Sequence, residues 1–361
     1  MARGYNSFAD IIRTTVDGKD LNDLWSEFSA ALNLRNERRT ALAALFTYPT
    51  TLAADEVAQA INDEEFEEAS EYGVPKSLRS SPSTIRVGFP FKWFDLAARY
   101  TWLFLADASA AQVESVHASA LEADNKLVFR HVMGALFRST SPGVNEDGTE
   151  VKPLWNGDGI TPPPYAGNTF SDTHSHYLVS GAATLDGGDL ELLADTVQHH
   201  GYGLADNGDT LVILLNPEEA KVARGFRTGV NGAAYDFIPA DDAPAFITDE
   251  SIIGDRPAGT FQGLKVVGSY GNALLVEDYM IPAGYAVLVS TAGSGSARNP
   301  LAIREHTRSE MQGLIQIPGA KEYPLIDSYY ARGFGVGVRH RGAAAVMQIK
   351  ATGAYAVPAG F

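Results

Sequence analysis

The sequence predicts an α+β fold, and three stretches carry the prediction. Residues 109–137 run for about 29 residues without proline, the length of a long helix. Residues 210–226, "TLVILLNPEEAKVARGF", pass from a fully apolar strand into a helix through an Asn-Pro start signal. Short β-type segments follow at 264–291 and 335–349. With 361 residues, 45% hydrophobic and 20% charged, the chain is globular and long enough for two or three packed units.

The elements follow in order. Within 17–46, Leu21, Leu24, Phe28, Ala31 and Leu32 fall on one stripe at helical spacing, which predicts an amphipathic N-terminal helix. The acidic stretch 53–70, "AADEVAQAINDEEFEEAS", reads as a second helix after a break at Pro49, so the first segment is expected as an arm outside the main core. Gly73, Pro75, Pro82, Gly88 and Pro90 exclude a long helix over 71–105, where the alternation of "AARYTWLFL" at 97–105 predicts a strand. The whole reads as a two-stranded excursion, which is marginal in water and needs an outside surface to lie on. In 109–137, Ser109 and Gln112 form a capping box, and the helix spans roughly 43 Å. Residues 139–168, rich in Gly, Pro, Asn and Asp, are expected to form a long surface loop.

From residue 184 the pattern becomes α/β. Leu190, Leu193 and Val197 mark a helix that stops at Gly201. Asn216 is placed to cap the next helix, with Pro217 at its first position and Glu218 and Glu219 where the dipole favours anions. Gly333, Gly335 and Gly337 leave one face of a late strand bare.

A formal net charge of −16 opposes tight, sequence-independent binding of nucleic acid by the whole surface. No cysteine is present, so the fold uses neither disulfides nor thiolate metal sites, as suits a reducing cytoplasm. The N-terminus lacks the apolar core of a signal peptide, and no apolar run reaches the roughly 20 residues that cross a bilayer, so the chain reads as soluble and unexported.

The search for chemistry is brief. On a strand, Asp172, His174 and His176 would share one face and converge on a divalent metal. The plainer reading is the polar side of an edge strand, because no HExxH-type second half exists. His199 and His200 are then accounted for by the negative end of a helix dipole. "GFGVGVRHRG" leads into a strand, not the helix N-terminus that holds phosphate, and "TAGSGSA" does not match the G-x-S-x-G elbow. The acid run at 63–68 reads as a solvated face. Arg35, Arg38 and Arg39 form a basic cluster suited to pairing or polyanion contact. No catalytic residue, cofactor or metal is therefore expected. An arm, a hairpin and a long helix that all need neighbours point instead to an assembly protein.

The order of these elements resembles the major capsid protein family of tailed bacteriophages, the Hong Kong 97-type fold, over nearly the full length. "ARYTWLFLADASAAQVESVHASALEADNKLVFRHVMGALF" resembles that family's hairpin return strand and spine helix. "DTLVILLNPEEAKVARGF" and "FQGLKVVGSYGNALLVEDYMIPAG" resemble its axial domain, and "YYARGFGVGVRHRGAAAVMQI" its closing strands.

The resemblance implies an N-terminal arm at 1–48, an acidic helix and extended hairpin at 49–105, and a peripheral domain with spine helix and loop insertion at 106–183. It further implies an axial domain at 184–328 and closing strands at 329–361 that return to the peripheral domain. Function follows as self-assembly into pentamers and hexamers of an icosahedral capsid around double-stranded DNA, which is confined and not tightly bound. Assembly in the host cytoplasm, a place in the virion and no membrane partner are expected. Scaffold, portal, decoration proteins and a maturation protease are left open, and no fused scaffolding region is expected ahead of the arm. The expected assembly contacts are Lys76, Arg79, Arg86, Lys92, Trp93, Arg35, Arg38 and Arg39.

Some relatives join a hairpin lysine to an asparagine in a neighbour's C-terminal part. Lys76 and Lys92 lie in the matching region, but no asparagine follows Asn299, so a non-covalent shell is expected. The alternative on the same fold is an encapsulin-like cellular compartment; the length and the insertion at 139–168 favour the virus. A metal-dependent hydrolase using Asp172, His174 and His176 is the reading from the enzyme class.

Overall fold

The computed structural model describes residues 13–37, 41–58, 66, 68–69, 71–74, 84–230, 232–243, 256–322 and 325–361. The chain divides into two compact units, one within Met1–Thr40, Phe91–Arg130 and Glu305–Gly335, the other within Ala41–Pro90, His131–Arg304 and Val336–Phe361.

The first unit is organised around the helix Ala110–Phe137, most of which lies in it. Its start is held by a carboxylate from elsewhere in the chain: Asp17 accepts from the Ala110 N–H at 3.1 Å, while Gln112 Oε1 accepts from the Ser109 N–H at 2.8 Å. Only the Gln112 half of the expected capping box is thus made through the backbone N–H. The N-terminal helix, Leu21–Glu37, places its stripe as the spacing predicts. It is not outside the core, however. Leu24, Phe28 and Leu32 are buried with Leu105, Val113, Ala120, Leu314 and Tyr330, each burial contributing about 1.5–3 kcal/mol. Phe28 stacks on His117 with ring centroids 4.0 Å apart, and His117 Nδ1 lies 2.8 Å from the Tyr330 hydroxyl.

The strand Lys92–Thr101 runs antiparallel to Leu325–Val338, which pairs on its other side with Leu314–Glu322. Its partner is therefore remote in sequence and not the other half of a local hairpin. The expected strand over 97–105 ends at Thr101, where the Thr101 hydroxyl accepts from the Phe104 N–H at 3.1 Å and starts the helix Trp102–Asp107. A good N-cap followed by Leu and Ala outweighs the alternation. The Gly333 face is not bare, since a Cβ there would come within 2.8 Å of the Phe91 and Trp93 rings.

The second unit is built on an eight-stranded sheet in the order Tyr177–Val179, Ala344–Gln348, Tyr285–Thr291, Thr210–Leu215, Ala273–Glu277, Leu264–Tyr270 and Phe237–Pro239, with Thr260–Phe261 beside Leu264–Tyr270. The helix Gly187–Gln198 begins with a full Asp186/Asp189 capping box. It lays Leu190, Leu193 and Val197 into a core with Leu211, Ile213, Leu288 and Met347. Asn216 accepts from the Glu218 N–H at 3.1 Å and Pro217 opens the helix Pro217–Ala223, as the sequence predicts. The last strand, Ala344–Gln348, joins 177–179 on one side to 285–291 on the other, so one sheet spans the boundary expected at 183/184.

Two expectations are corrected in this unit. The stretch read as an acidic helix begins as a strand, Ala54–Ala58, paired antiparallel with Thr84–Gly88; cross-strand pairing overrides the helix propensity of Ala and Glu. Residues 59–65, 67 and 70 of that stretch lie outside the described residues. Within 139–168, Val151, Leu154 and Trp155 are buried, so this is not simply a surface loop. Its burial is permitted because Arg341 donates to the Pro153 carbonyl at 2.9 Å and the Leu154 carbonyl at 3.3 Å. Among the described residues no helix is long and apolar enough to cross a membrane.

Candidate assembly surfaces

Large apolar side chains stand in solvent in both units. In the first unit Leu103 is 83% exposed and Trp93 50%, with Leu96 and Phe104 also exposed between and beside them in the chain. Trp93 lies edge-on to Phe91 with ring centroids 5.6 Å apart and 5.8 Å from His306. In the second unit Tyr279 is 83% exposed and Met280 is exposed beside it, in the turn after Ala273–Glu277. Single exposed apolar residues are ordinary, but pairs on a short helix or a tight turn are the pattern of surfaces that receive a partner.

The sequence-expected contacts separate into three groups. Arg86, Lys92 and Trp93 are exposed, Arg86 on Thr84–Gly88 and the other two at the start of Lys92–Thr101. Lys76, Arg79, Arg38 and Arg39 lie outside the described residues. Arg35 is taken up inside the chain, where its Nη2 donates to Asp124 Oδ2 at 3.0 Å, the Leu121 carbonyl at 3.0 Å and Asn125 Oδ1 at 2.6 Å. A groove of about 580 Å³ beside the N-terminal helix, lined by Ser29, Asn33, Asn36, Glu305 and Gln312, had no signal in the sequence, because its walls come from segments remote from each other along the chain.

The histidines are placed differently from either sequence reading. Residues 171–174 form a turn, with the His174 N–H donating to the Ser171 carbonyl at 3.2 Å, Ser175 makes an isolated antiparallel bridge with Asn156, and the strand starts only at Tyr177. Asp172 is therefore exposed and does not share a face with His174 and His176. Instead His174, His176, His199 and His200 converge, one ring nitrogen of each lying within 4.8 Å of the others. Burial pulls His176 down to about 3 and His200 to about 2, and lowers His174 and His199 as well. Neutral imidazoles do not complement a helix dipole, so that account of His199 and His200 fails.

No family model matches the chain, and no curated protein does. Among solved structures, the capsid of a native GTA particle is 14% identical, with a TM-score of 0.48 over 86% of this chain and 91% of that one. The holo-SrpI encapsulin complex of Synechococcus elongatus is 10% identical, with a TM-score of 0.46 over 91% of this chain and 97% of that one. A structure from Mycobacterium phage Patience is 42% identical, with a TM-score of 0.73 over 97% of this chain and 94% of that one. The chain belongs to the major capsid protein family of tailed bacteriophages.

As a major capsid protein it has the Hong Kong 97-type fold and is a structural protein of an icosahedral shell, made by self-association and located in the virion. The phage relative, at 42% identity, sets the encapsulin-like alternative aside.

Proposed function

We propose that this capsid protein assembles as pentamers and hexamers around double-stranded DNA, in the host cytoplasm, through contacts made by the arm, the segment expected as a hairpin at about 71–94, the spine helix and the tip of the axial part. The observation that carries the reading is the exposure of Leu103, Phe104, Trp93 and Leu96 on and next to a six-residue helix that buries only Leu105. Such a helix is too short to stand alone and gains its remaining burial from a neighbour. Lys76, Arg79, Arg86, Lys92, Arg38 and Arg39 are proposed as further assembly contacts, and the net charge of −16 supports DNA held by confinement and not by tight binding. Scaffold, portal and decoration proteins are candidate partners for the same exposed faces.

The test is negative-stain electron microscopy with light scattering on the purified chain, with and without its neighbouring genes, comparing the natural sequence with Leu103→Asp and Trp93→Ala. Closed shells or rings of five or six from the natural chain, lost in Leu103→Asp while circular dichroism is unchanged, support the proposal. A stable monomer of 38.6 kDa under all conditions overturns it.

A further inference from the structure

We propose that His174, His176, His199 and His200 form a closed four-imidazole site for a divalent transition metal of the zinc class, which ties the approach to the edge strand Tyr177–Val179 to the end of the helix Gly187–Gln198.

The geometry is that of a cage. All six ring pairs are close, with centroids separated by 5.1 Å for His174–His176, 5.2 Å for His174–His199, 5.0 Å for His174–His200, 6.4 Å for His176–His199, 4.9 Å for His176–His200 and 4.6 Å for His199–His200. Four nitrogens around a zinc at about 2.0–2.1 Å stand roughly 3.3–3.4 Å apart in a tetrahedron. The longest separation here, within 4.8 Å, closes to that by small side-chain rotations.

Hydrogen bonding does not account for the cluster. His176 is 0% exposed, yet its Nε2 has no hydrogen-bond partner among the described residues, and neither has the buried Nε2 of His199. A buried polar atom left in that state costs about 1–3 kcal/mol, so two of them in one cluster need an explanation. The rest of each ring is arranged as ligand imidazoles are. His176 Nδ1 lies 2.7 Å from the Ala344 carbonyl, and by donating there it turns the lone pair of Nε2 inward. Asp195 Oδ2 lies 3.9 Å from His199 Nδ1, a carboxylate behind a second ligand. The remaining pair, His174 Nε2 and His200 Nε2, stand 3.0 Å apart, close to a tetrahedral edge.

The surroundings cover part of the cluster and fix its frame. Phe170 stacks on His200 at 4.1 Å and lies 5.0 Å from both His174 and His199, closing the cluster on that side. The His176 N–H donates to the Trp155 carbonyl at 2.7 Å. The neighbouring positive charge, Arg341, is engaged by Asp158 at 2.9 Å. Four protein ligands leave no open position, so the site is structural and not hydrolytic. Imidazole nitrogen suits zinc, copper and nickel, and disfavours magnesium and calcium.

The test uses the full chain, stripped with a chelator, dialysed and titrated with Zn²⁺ against a chromophoric competitor, followed by elemental analysis. One zinc per chain, a higher thermal midpoint, and visible absorption of the tetrahedral type when Co²⁺ replaces Zn²⁺ are expected. His174→Ala and His199→Ala, at half-buried positions that tolerate truncation, should each weaken zinc binding roughly tenfold or more. Asp172→Asn, outside the cage, should leave it unchanged. A stripped chain that is folded by circular dichroism but takes up no zinc overturns the site. So does zinc binding that survives His174→Ala and His199→Ala, or that is lost with Asp172→Asn.

Discussion

Arg332 lies flat against Asp124, its Nε 2.6 Å from Oδ1 and its Nη2 3.0 Å from Oδ2. Arg35 reaches the same carboxylate from the N-terminal helix at 3.0 Å, so one buried acid on the long helix joins that helix to the arm and to the strand Leu325–Val338. Asp124→Ala would leave two guanidinium groups facing each other in a poorly hydrated site. The expected loss is about 3–5 kcal/mol, read by denaturant or thermal unfolding of the unassembled chain. A change within experimental error would show that both arginines find other partners.

Arg341 holds the buried part of 139–168 together. Besides the two carbonyls, its Nη2 donates to Asn156 Oδ1 at 3.1 Å and Asp158 Oδ2 at 2.9 Å, and its guanidinium lies 4.1 Å from the Trp155 ring centre. Lysine keeps the charge and loses the planar fork. Arg341→Lys is expected to cost about 1–3 kcal/mol for each carbonyl left without a donor, and to speed protease cleavage between 139 and 168. Unchanged cleavage would mean that the loop is held by its apolar side chains alone.

The metal-free chain should lose stability on mild acidification. His176, His200 and His340 are held by burial at about 3, 2 and 4, below the ordinary 6.5. The unfolded chain therefore takes up protons that the folded chain refuses, so their contribution is fully present above about 6.5 and is lost as pH falls towards those values. Asp189, pushed up to about 6 by burial, works in the opposite direction as pH falls, one carboxyl against three imidazoles. The thermal midpoint should drop between about pH 7 and pH 5, before ordinary carboxylates titrate. A flat profile there would contradict the burial of these rings.

Shells should dissolve in hot detergent to a single band. Asn299, the last asparagine, is 0% exposed; its Nδ2 donates to the Thr47 carbonyl at 3.1 Å and the Gly293 carbonyl at 2.9 Å, and its Oδ1 accepts from Thr291 at 3.1 Å. No side chain so engaged is free to be joined to a lysine of another copy. A ladder of multiples of 38.6 kDa on a denaturing gel would refute this.

Much of this fold could be read where signals are local and agree with one another. The helix Ala110–Phe137 was legible from length, and Asn216-Pro217 from capping chemistry that depends on four adjacent residues. The stripe of Leu24, Phe28 and Leu32 was legible too, but what it packs on was not, because Leu314 and Tyr330 lie almost at the other end of the chain. Local reading failed where two signals competed. In "RYTWLFLAD" the alternation suggests a strand, yet Thr101 caps a helix. The spacing of Asp172, His174 and His176 suggested a shared face, and a turn at Ser171 removed it. The cage needed His199 and His200 from a second segment, which no periodicity connects to the first.

The division of the chain into two units has a consequence for its synthesis. The polypeptide passes between them at 40/41, 90/91, 130/131, 304/305 and 335/336, so neither unit is a continuous piece. A ribosome has therefore made nearly all of the protein before the first unit has its last segment, and must go further still before the sheet of the second receives Ala344–Gln348 at its interior. The apolar strand Thr210–Leu215, with Val212, Ile213 and Leu214 at its centre, emerges long before Ala273–Glu277 and Tyr285–Thr291, the two strands that pair with it. In a cell producing many copies at once, that delay sets a demand for chaperone protection that grows with the number of chains in synthesis together.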